Sequence, residues 1–383
     1  MRRISDIGAA VIGSGFIGTV HIEALRRLGV PIQGLLEVTP EHGAKRIADL
    51  GLPQAYGSLA ELLADERVEA VHVTSPNALH FPQVREVLAA GKHVVCEKPL
   101  ATTSEESAEL VRLAAAAGVV NAVNFNIRFY PINRHAAQMV RDGELGEVRL
   151  VTGHYHQDWL LFDTDWNWRL DPAEGGMLRA VGDIGSHWLD LVTTITGQHV
   201  TEVMADLATF VKVRHQPTGP VLTFSTERAT DTIPRDMVTD DAATILLRFD
   251  GGARGAVSVS QVSAGRKNRL YFEIDGSKAA VAFDSEQNGE LWIGHRERPN
   301  ELLLKDPSLL SAEARSVASY PGGHNEGYPD TFKQMMNKVY SYIRRGDFTA
   351  KPDFPTFADG HYELLVCEAI EKSAKEERWT KIG

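Results

Sequence analysis

The 383-residue chain sets 40 lysines and arginines against 51 aspartates and glutamates, a formal net charge of −11. Its length exceeds what one ordinary core organises and predicts two domains, divided here at 1–125 and 126–383. The acidic balance excludes a nucleic-acid groove or an anionic membrane as main partner and leaves a small molecule.

Two cysteines, Cys96 and Cys367, rule out a disulfide framework. The apolar setting of Cys96 reads as a buried reduced thiol, which fits a cytoplasmic protein. No apolar run approaches the roughly 18 to 20 residues needed to cross a bilayer. The stretch from Ile7 to Val20, broken by glycines and serines, reads as a strand entering a helix and not as a signal peptide.

From Ile7 to Val123 short apolar runs alternate with amphipathic segments, the pattern of repeated β-α units around a parallel sheet. Ile7 to Ile12 is the first strand. Ile17, Val20, Ala24, Leu25 and Leu28 then fall at helical spacing before Gly29. Ile32 to Glu37 is the second strand, and Thr39-Pro40 opens a helix that ends at Gly51. Ser58-Leu59-Ala60-Glu61 reads as a capping box. Ala70 to Thr74 is a buried strand, Leu79 to Ala90 a helix, His93 to Cys96 a strand, Ser104 to Ala117 a helix and Val119 to Val123 a last strand.

Beyond about residue 125 longer, alternating strands predict an antiparallel sheet with one face covered. Candidates are Val148 to Trp159, Val200 to Lys212, Ala243 to Phe249, Arg254 to Val262, Arg269 to Asp275 and Lys278 to Phe283. Helices are predicted near 132–142, 183–196, 330–344 and 359–374. Arg214 to Asp241, polar and weakly periodic, reads as a long loop near a ligand or subunit contact.

Gly13-Ser14-Gly15-Phe16-Ile17-Gly18 follows a predicted strand and opens a predicted helix. In such a turn Gly13 makes the bend, Gly15 admits a pyrophosphate to the backbone and Gly18 lets the helix pack closely. Phosphates then meet the positive helix end, beside Phe16 and Ile17. Glu37, 19 residues past Gly18, ends the second strand. Its carboxylate accepts from a ribose diol and repels a 2′-phosphate, so the expected cofactor is NAD rather than NADP. Val38 to His42 add no arginine or lysine; Lys45 and Arg46 lie further on and can bend round to that position.

Lys98 ends the strand segment Val94-Val95-Cys96-Glu97-Lys98-Pro99-Leu100. Pro99 disfavours helical geometry at Lys98, so the lysine is expected to stay extended where it can face a ligand. Asp183 and His187 lie four apart, on one face of a helix. Oxidising a secondary alcohol needs a base for the hydroxyl proton, and histidine is the side chain suited to that near neutral pH. Lys98 can stabilise the alkoxide or relay its proton, and Asp183 can orient the hydroxyl. Taken singly, these three also fit a solvated lysine, a helix cap and a core histidine. A metal is not expected, because no third ligand stands near the Asp-His pair.

His154, Tyr155, His156, Gln157, Asp158, Trp159, Trp166, Trp168 and Arg169 crowd into sixteen residues. Such a set can stack on a sugar ring and bind its hydroxyls; Tyr155, His156 and Trp166 are the substrate candidates, with His324 on a glycine-rich loop. Strand alternation lets at most half of 154–159 serve one pocket.

Together these segments make the sequence resemble the glucose-fructose oxidoreductase, inositol dehydrogenase and MocA (Gfo/Idh/MocA) family. The matching pieces are the glycine turn, Ser75-Pro76-Asn77-Ala78-Leu79-His80, Glu97-Lys98-Pro99, Asn126-Ile127-Arg128-Phe129-Tyr130-Pro131, and Gly175-Gly176 through Asp183 to His187 and Asp190. The resemblance implies a Rossmann domain followed by an α/β domain with an open, mostly antiparallel sheet. It implies homodimers or homotetramers formed through that sheet, and a last helix, near Asp359 to Ser373, that packs back on the first domain. It also implies that Lys98, Asp183 and His187 form the catalytic trio, with His187 as general base. Asn77, His80 and Glu97, with Ser75 beside them, fall on the nicotinamide side, and Arg128 on the substrate side. Glu37 departs from the aspartate that many members carry.

The expected activity is NAD-dependent oxidation of a ring hydroxyl of a sugar, glycoside or cyclitol. Two alternatives stand beside it: a glycosidase of the same fold that works by transient oxidation and elimination, and a non-enzymatic NAD or sugar sensor.

Overall fold

Six short segments pair side by side in parallel: β1 (Ala9–Ile12), β2 (Ile32–Leu36), β3 (Ala55–Tyr56), β4 (Ala70–Val73), β5 (His93–Cys96) and β6 (Asn121–Val123). Their order, β3-β2-β1-β4-β5-β6, is that of a Rossmann sheet. All four residues of β1 and of β4 are buried, the signature of a parallel sheet covered on both faces. The computed structural model describes residues 2–219 and 229–383. It divides into two compact units, Met1–Asn126 with Pro329–Leu364, and Ile127–Tyr328 with Leu365–Gly383.

In the first unit the helices start and stop on local chemistry. Thr39 caps Pro40–Leu50 by accepting the His42 N–H at 3.2 Å, and Thr103 caps Ser104–Ala117 through the Glu106 N–H at 3.2 Å. Such caps contribute about 1 kcal/mol each. At Ser58 the capping box is only half formed. Ser58 accepts the Glu61 N–H, but the Glu61 carboxylate takes the N–H of Gly57, one residue upstream, at 2.7 Å.

Residues 329–364, on the far side of the sequence boundary at 125/126, group with the Rossmann sheet because their side chains are bonded to it. Thr331 Oγ1 accepts from Asn126 Nδ2 at 2.7 Å, the Tyr340 hydroxyl meets His72 at 2.8 Å, and the Phe357 N–H reaches Asn121 Oδ1 at 2.9 Å. Phe357 and Leu364, in the first part of the helix Phe357–Glu376, join the core of this unit.

The second unit is built on a nine-stranded sheet. Its strands are β7 (Val148–His156), β8 (Val200–Ala208), β11 (Ala242–Phe249), β12 (Arg254–Ser260), β13 (Arg269–Gly276), β14 (Ala280–Asp284), β15 (Glu290–Gly294), β16 (Glu301–Leu304) and β17 (Thr380–Lys381). They lie in the order β16-β15-β14-β13-β7-β12-β11-β8-β17, antiparallel except for β7 beside β12. One face is covered, with Val151, Tyr155, Val257, Val259, Leu270 and Phe272 buried. On this face Gly153 is required, since a Cβ there would lie 2.1 Å from Tyr271 O and 2.6 Å from Trp188 Nε1. The other face exposes Met204, Leu246 and Leu302, which stand in one cross-strand row.

Three expectations change here. Within the stretch read as a loop from Arg214 to Asp241, β9 (Val213–Pro217) and β10 (Thr232–Asp236) form an antiparallel hairpin; residues 220–228 of that stretch lie outside the described residues. The ribbon buries little on either side, so its sequence lacks the alternation that marks a half-covered strand. β15 and β16, which the sequence reading omitted, are short and end the sheet. The helix expected from 183 begins instead with a π-helical turn, Val181–Gly185, before the α-helix Ser186–Thr196. Among the described residues no helix is long and apolar enough to cross a membrane.

Candidate active site

In the first unit the glycine turn has the geometry its sequence predicts. Gly13 adopts φ +85, in the left-handed region, with Thr74 O 3.2 Å from where a Cβ would sit. A Cβ on Gly18 would lie 2.1 Å from Gly13 O, whereas one on Gly15 would meet nothing within 4 Å. The turn is therefore tight below and open above, as a backbone that admits a pyrophosphate must be. Gly15 is the N-cap of the helix Phe16–Leu28 and supplies no side chain to its first N–H groups, so the helix end suits an anion. Thr74 pins the turn by donating to Ile12 O and Gly13 O at 2.9 and 2.7 Å.

Glu37 folds onto this turn. Its Oε1 accepts the Ser14 N–H at 2.5 Å and the Ser14 hydroxyl, and its Oε2 faces His42 Nδ1 at 3.1 Å. Arg46 comes to the same place. Its Nε donates to Ser14 Oγ at 2.8 Å and its Nη2 to Ser14 O at 2.9 Å. The helix that starts at Pro40 brings Arg46 back to the turn, so one of the two cations that the sequence left able to bend round stands beside the acidic residue.

Lys98 follows β5 in a bend, outside any helix, with a cis Lys98-Pro99 peptide. Glu97 is buried; its Oε1 meets His21 Nε2 at 2.9 Å and accepts from Asn124, and its Oε2 faces the Lys98 N–H at 3.2 Å. His80 is buried too, with one ring nitrogen 2.7 Å from Pro99 O and the other 2.9 Å from Ser75 O. Burial pushes its basicity down, and its contacts make it a brace between two loops. Ser75 donates its hydroxyl to Gln83 at 2.6 Å, and Asn77 opens the short turn Asn77–Leu79.

In the second unit Asp183 is held at both oxygens. Arg169 Nε donates to one at 3.2 Å and Gln261 Nε2 to the other at 2.8 Å. Gln261 in turn accepts from Arg179 at 3.1 Å, and Arg179 and Arg214, both buried, share Asp241. Asp240 takes the N–H groups of Arg179 and Val181 at 2.6 and 2.9 Å and so fixes the approach to the π turn; burial pushes its carboxyl up to about 6. His187 is buried one turn beyond Asp183. A π turn is frequent at functional sites, and here it changes the stagger between the two residues that a regular helix would impose.

The other substrate candidates separate. Tyr155 lies on the covered face, its hydroxyl donating to Asn268 at 2.7 Å, and burial raises its phenol far above the ordinary range. His156 points to the opposite face, where it stacks on His154 with centroids 4.5 Å apart and meets Ser258. Strand alternation thus keeps His156 away from Tyr155. Arg128 is committed to Asp190, with Nε 2.7 Å from one oxygen and Nη2 on the other. Trp166 is half-buried, next to Asn167, whose carbonyl orients Arg169. His324 is exposed, with Nδ1 3.2 Å from Gly322 O, on a loop anchored by the buried Lys305–Glu326 pair.

Residues 7–125 match the model of an oxidoreductase family with an NAD-binding Rossmann fold, and residues 133–282 match the Gfo/Idh/MocA C-terminal domain. The crystal structure of an oxidoreductase domain protein from Kribbella flavida is 32% identical and superposes with a TM-score of 0.88, covering 99% of this chain and 100% of that one. The chain belongs to the Gfo/Idh/MocA oxidoreductase family. A levoglucosan dehydrogenase from Pseudarthrobacter phenanthrenivorans is 26% identical to this family member, with 99% of each chain covered. An inositol dehydrogenase homologue from Azotobacter vinelandii, solved with NAD+, is 26% identical with a TM-score of 0.87, covering 98% of this chain and 97% of that one. This Gfo/Idh/MocA member is accordingly an NAD-binding oxidoreductase whose relatives include sugar and cyclitol dehydrogenases. Gln261, Arg179 and His21 escaped the sequence reading; Arg46, about two turns into a helix that starts beside Glu37, was the one of these residues with a local signal, and the reading named it.

Proposed function

We propose that this chain is a dehydrogenase that oxidises a ring secondary hydroxyl of a sugar, glycoside or cyclitol. The observation that carries the reading is Asp183, clamped at both oxygens by Arg169 and Gln261 one turn before the buried His187, in a family that pairs this segment with Glu97-Lys98-Pro99. When bound, NAD supplies hydride acceptance. His187 takes the hydroxyl proton, Asp183 accepts a hydrogen bond from the hydroxyl and orients it, and Lys98 as an ammonium steadies the alkoxide that forms. Asn77 and Glu97 belong to the cofactor side of the site, with His80 and Ser75 holding the loops around Lys98.

NAD is preferred over NADP in this reading, because Glu37 stands at the ribose position. Arg46 beside it leaves room for residual use of NADP. Copies of the chain associate as a homodimer or homotetramer through the sheet face that exposes Met204, Leu246 and Leu302.

A panel of inositols, aldoses, glycosides and levoglucosan, followed by NADH formation with either cofactor, tests the activity. Net NADH with one of these polyols is the expected outcome; glycoside cleavage without net NADH would point to the elimination chemistry instead. Lys98→Met should lower kcat by ~10²–10⁴-fold while NADH binding, read by fluorescence, persists. Full turnover by that variant would sink the reading.

A further inference from the structure

At the glycine turn an anion and a cation of the chain converge on one serine. Ser14 is 3% exposed, and its N–H and hydroxyl both donate to Glu37 Oε1, the N–H at 2.5 Å. Arg46 reaches the same serine from the helix Pro40–Leu50, with Nε 2.8 Å from Ser14 Oγ and Nη2 2.9 Å from Ser14 O. Its Nη2 also lies 3.2 Å from Thr19 Oγ1. Gly43, on the same face of that helix as Arg46, allows the close approach: a Cβ there would lie 3.2 Å from Ala55 Cβ and 3.7 Å from Glu37 Cβ.

The protons have one arrangement. A guanidinium can only donate, so Ser14 Oγ accepts from Arg46 and its own proton is left for Glu37. The hydroxyl and the N–H thus meet one oxygen of an anion, with a cation directly behind the hydroxyl, and the anion is part of the chain. Fastening the turn needs only the bond from Arg46 to Ser14 O; the bond to Oγ aims a proton at whatever anion lies beyond it. A carboxylate has two oxygens for such a place, and here the second, Oε2, faces His42 Nδ1 at 3.1 Å. A phosphate monoester brings three, and a guanidinium is the side chain matched to it. Arg46 has donors to spare for it: among the described residues Nη1 meets only the half-exposed Asp49, at 3.6 Å, too far for a hydrogen bond.

We propose that Ser14 and Arg46 form a seat for the 2′-phosphate of NADP, which the chain's own Glu37 carboxylate fills, so that one side chain sets the choice of cofactor. This rests on the reading of Glu37 as the residue that meets the adenosine ribose. The diol of NAD donates to Glu37 and leaves it in place. A 2′-phosphate instead competes with the carboxylate for the same N–H and hydroxyl, against the repulsion of like charges. Without the carboxylate the seat is open, and Arg46 becomes the counter-charge of the phosphate.

Binding of NADH and of NADPH to the full chain, read by nucleotide fluorescence, tests this without substrate or turnover. Glu37→Ala should tighten NADPH about tenfold or more and loosen NADH several-fold. Adding Arg46→Ala to that variant should remove most of the gain for NADPH and move NADH by about twofold or less. Adding Ser14→Ala instead, which spares the backbone N–H, should remove about threefold of the gain. No gain in Glu37→Ala would mean that the carboxylate does not fill the seat, and a gain that survives either addition in full would put the phosphate elsewhere; each result overturns the proposal. Equal losses of both nucleotides on adding Arg46→Ala overturn it too, since they mark an arginine that only fastens the turn. If Glu37→Ala fails to fold, the wild type and Arg46→Ala are titrated calorimetrically with adenosine 2′,5′-bisphosphate and with 5′-AMP. The preference for the bisphosphate should then fall several-fold in Arg46→Ala, and an unchanged preference overturns the proposal. Unchanged NADH affinity in Glu37→Ala would remove the ribose reading of Glu37 alone, because the seat is read from NADPH.

Discussion

In the first unit Glu97 is held by two imidazoles and a phenol in series, whereas in the second Asp183 is held by Arg169 and by a glutamine that leans on Arg179, Asp241 and Arg214. Both arrangements fix one carboxylate from behind, but their chemistry differs. Guanidinium groups keep their protons at any pH the fold survives, so the second arrangement is permanently charged. Burial holds the His72 ring well below its ordinary basicity, so the first arrangement runs through a neutral ring. Fixed charge suits a group that must always present an oxygen to a hydroxyl.

The largest effect that separates the two should come from Asp241→Asn. It keeps the shape but strands the Arg179 and Arg214 guanidiniums, both buried, without their anion. Breaking such a pair costs about 3–5 kcal/mol. Urea unfolding should show that loss, and a midpoint equal to the wild type would mean that the second unit does not depend on its charges.

Next come two pH dependences of opposite sign. His72 is depressed, so its contribution is present above the ordinary histidine value of 6.5 and is lost as pH falls below it. Asp240 is raised from 3.8 to about 6, so its contribution is present below 3.8 and is lost as pH rises through 6. Relative to the wild type, His72→Phe should gain thermal stability as pH drops below about 6, and Asp240→Asn should gain it, by roughly 2–3 kcal/mol, as pH climbs from about 4 to 7. Melting curves across that range check both; parallel curves would mean that the two networks respond alike.

Gln261→Leu should act on chemistry more than on stability. Asp183 loses a 2.8 Å N–H, a charge-assisted bond of about 1.5–3 kcal/mol, so kcat should fall about tenfold or more with KM nearly unchanged. A rise in KM alone would place Asp183 in substrate binding instead. Smallest of all, Arg46→Ala should raise the KM for NADP several-fold while leaving that for NAD within about twofold, which steady-state kinetics with both cofactors would show.

What the sequence made legible follows from how local each feature is. The glycine turn, the strand that delivers Lys98 and the helix starts at Pro40 and Ser104 are each written within a few adjacent residues, and the structure carries them as read. The hairpin of β9 and β10 was hidden because a ribbon that buries little leaves no alternating pattern. The π turn at Val181–Gly185 was hidden because one extra residue in a helical turn does not change which residue types suit a helix. Buried networks are harder still. His72 and Tyr340 stand 268 positions apart, and Gln261 and Asp183 stand 78 apart, so nothing in either neighbourhood announces the partner. Arg128, an arginine near a family motif that invited a ligand role, pairs its fork with Asp190, a partner 62 positions on that no local pattern announces.

The parallel contact of β7 with β12, inside an otherwise antiparallel sheet, bears on how such a protein changes its substrate. Parallel neighbours cannot be joined by a tight turn, so after His156 the chain must travel, adding β8 and β11 on the way, before it pairs with β7 at Arg254. Trp166, Arg169, Asp183, His187 and the hairpin of β9 and β10 all lie on that excursion. Among its described residues only β8 and β11 are tied to the main ladder, so the segments beside them can lengthen, shorten or be exchanged without shifting the register of β7 against β12. A lineage can therefore rewrite what the enzyme recognises while inheriting the sheet intact.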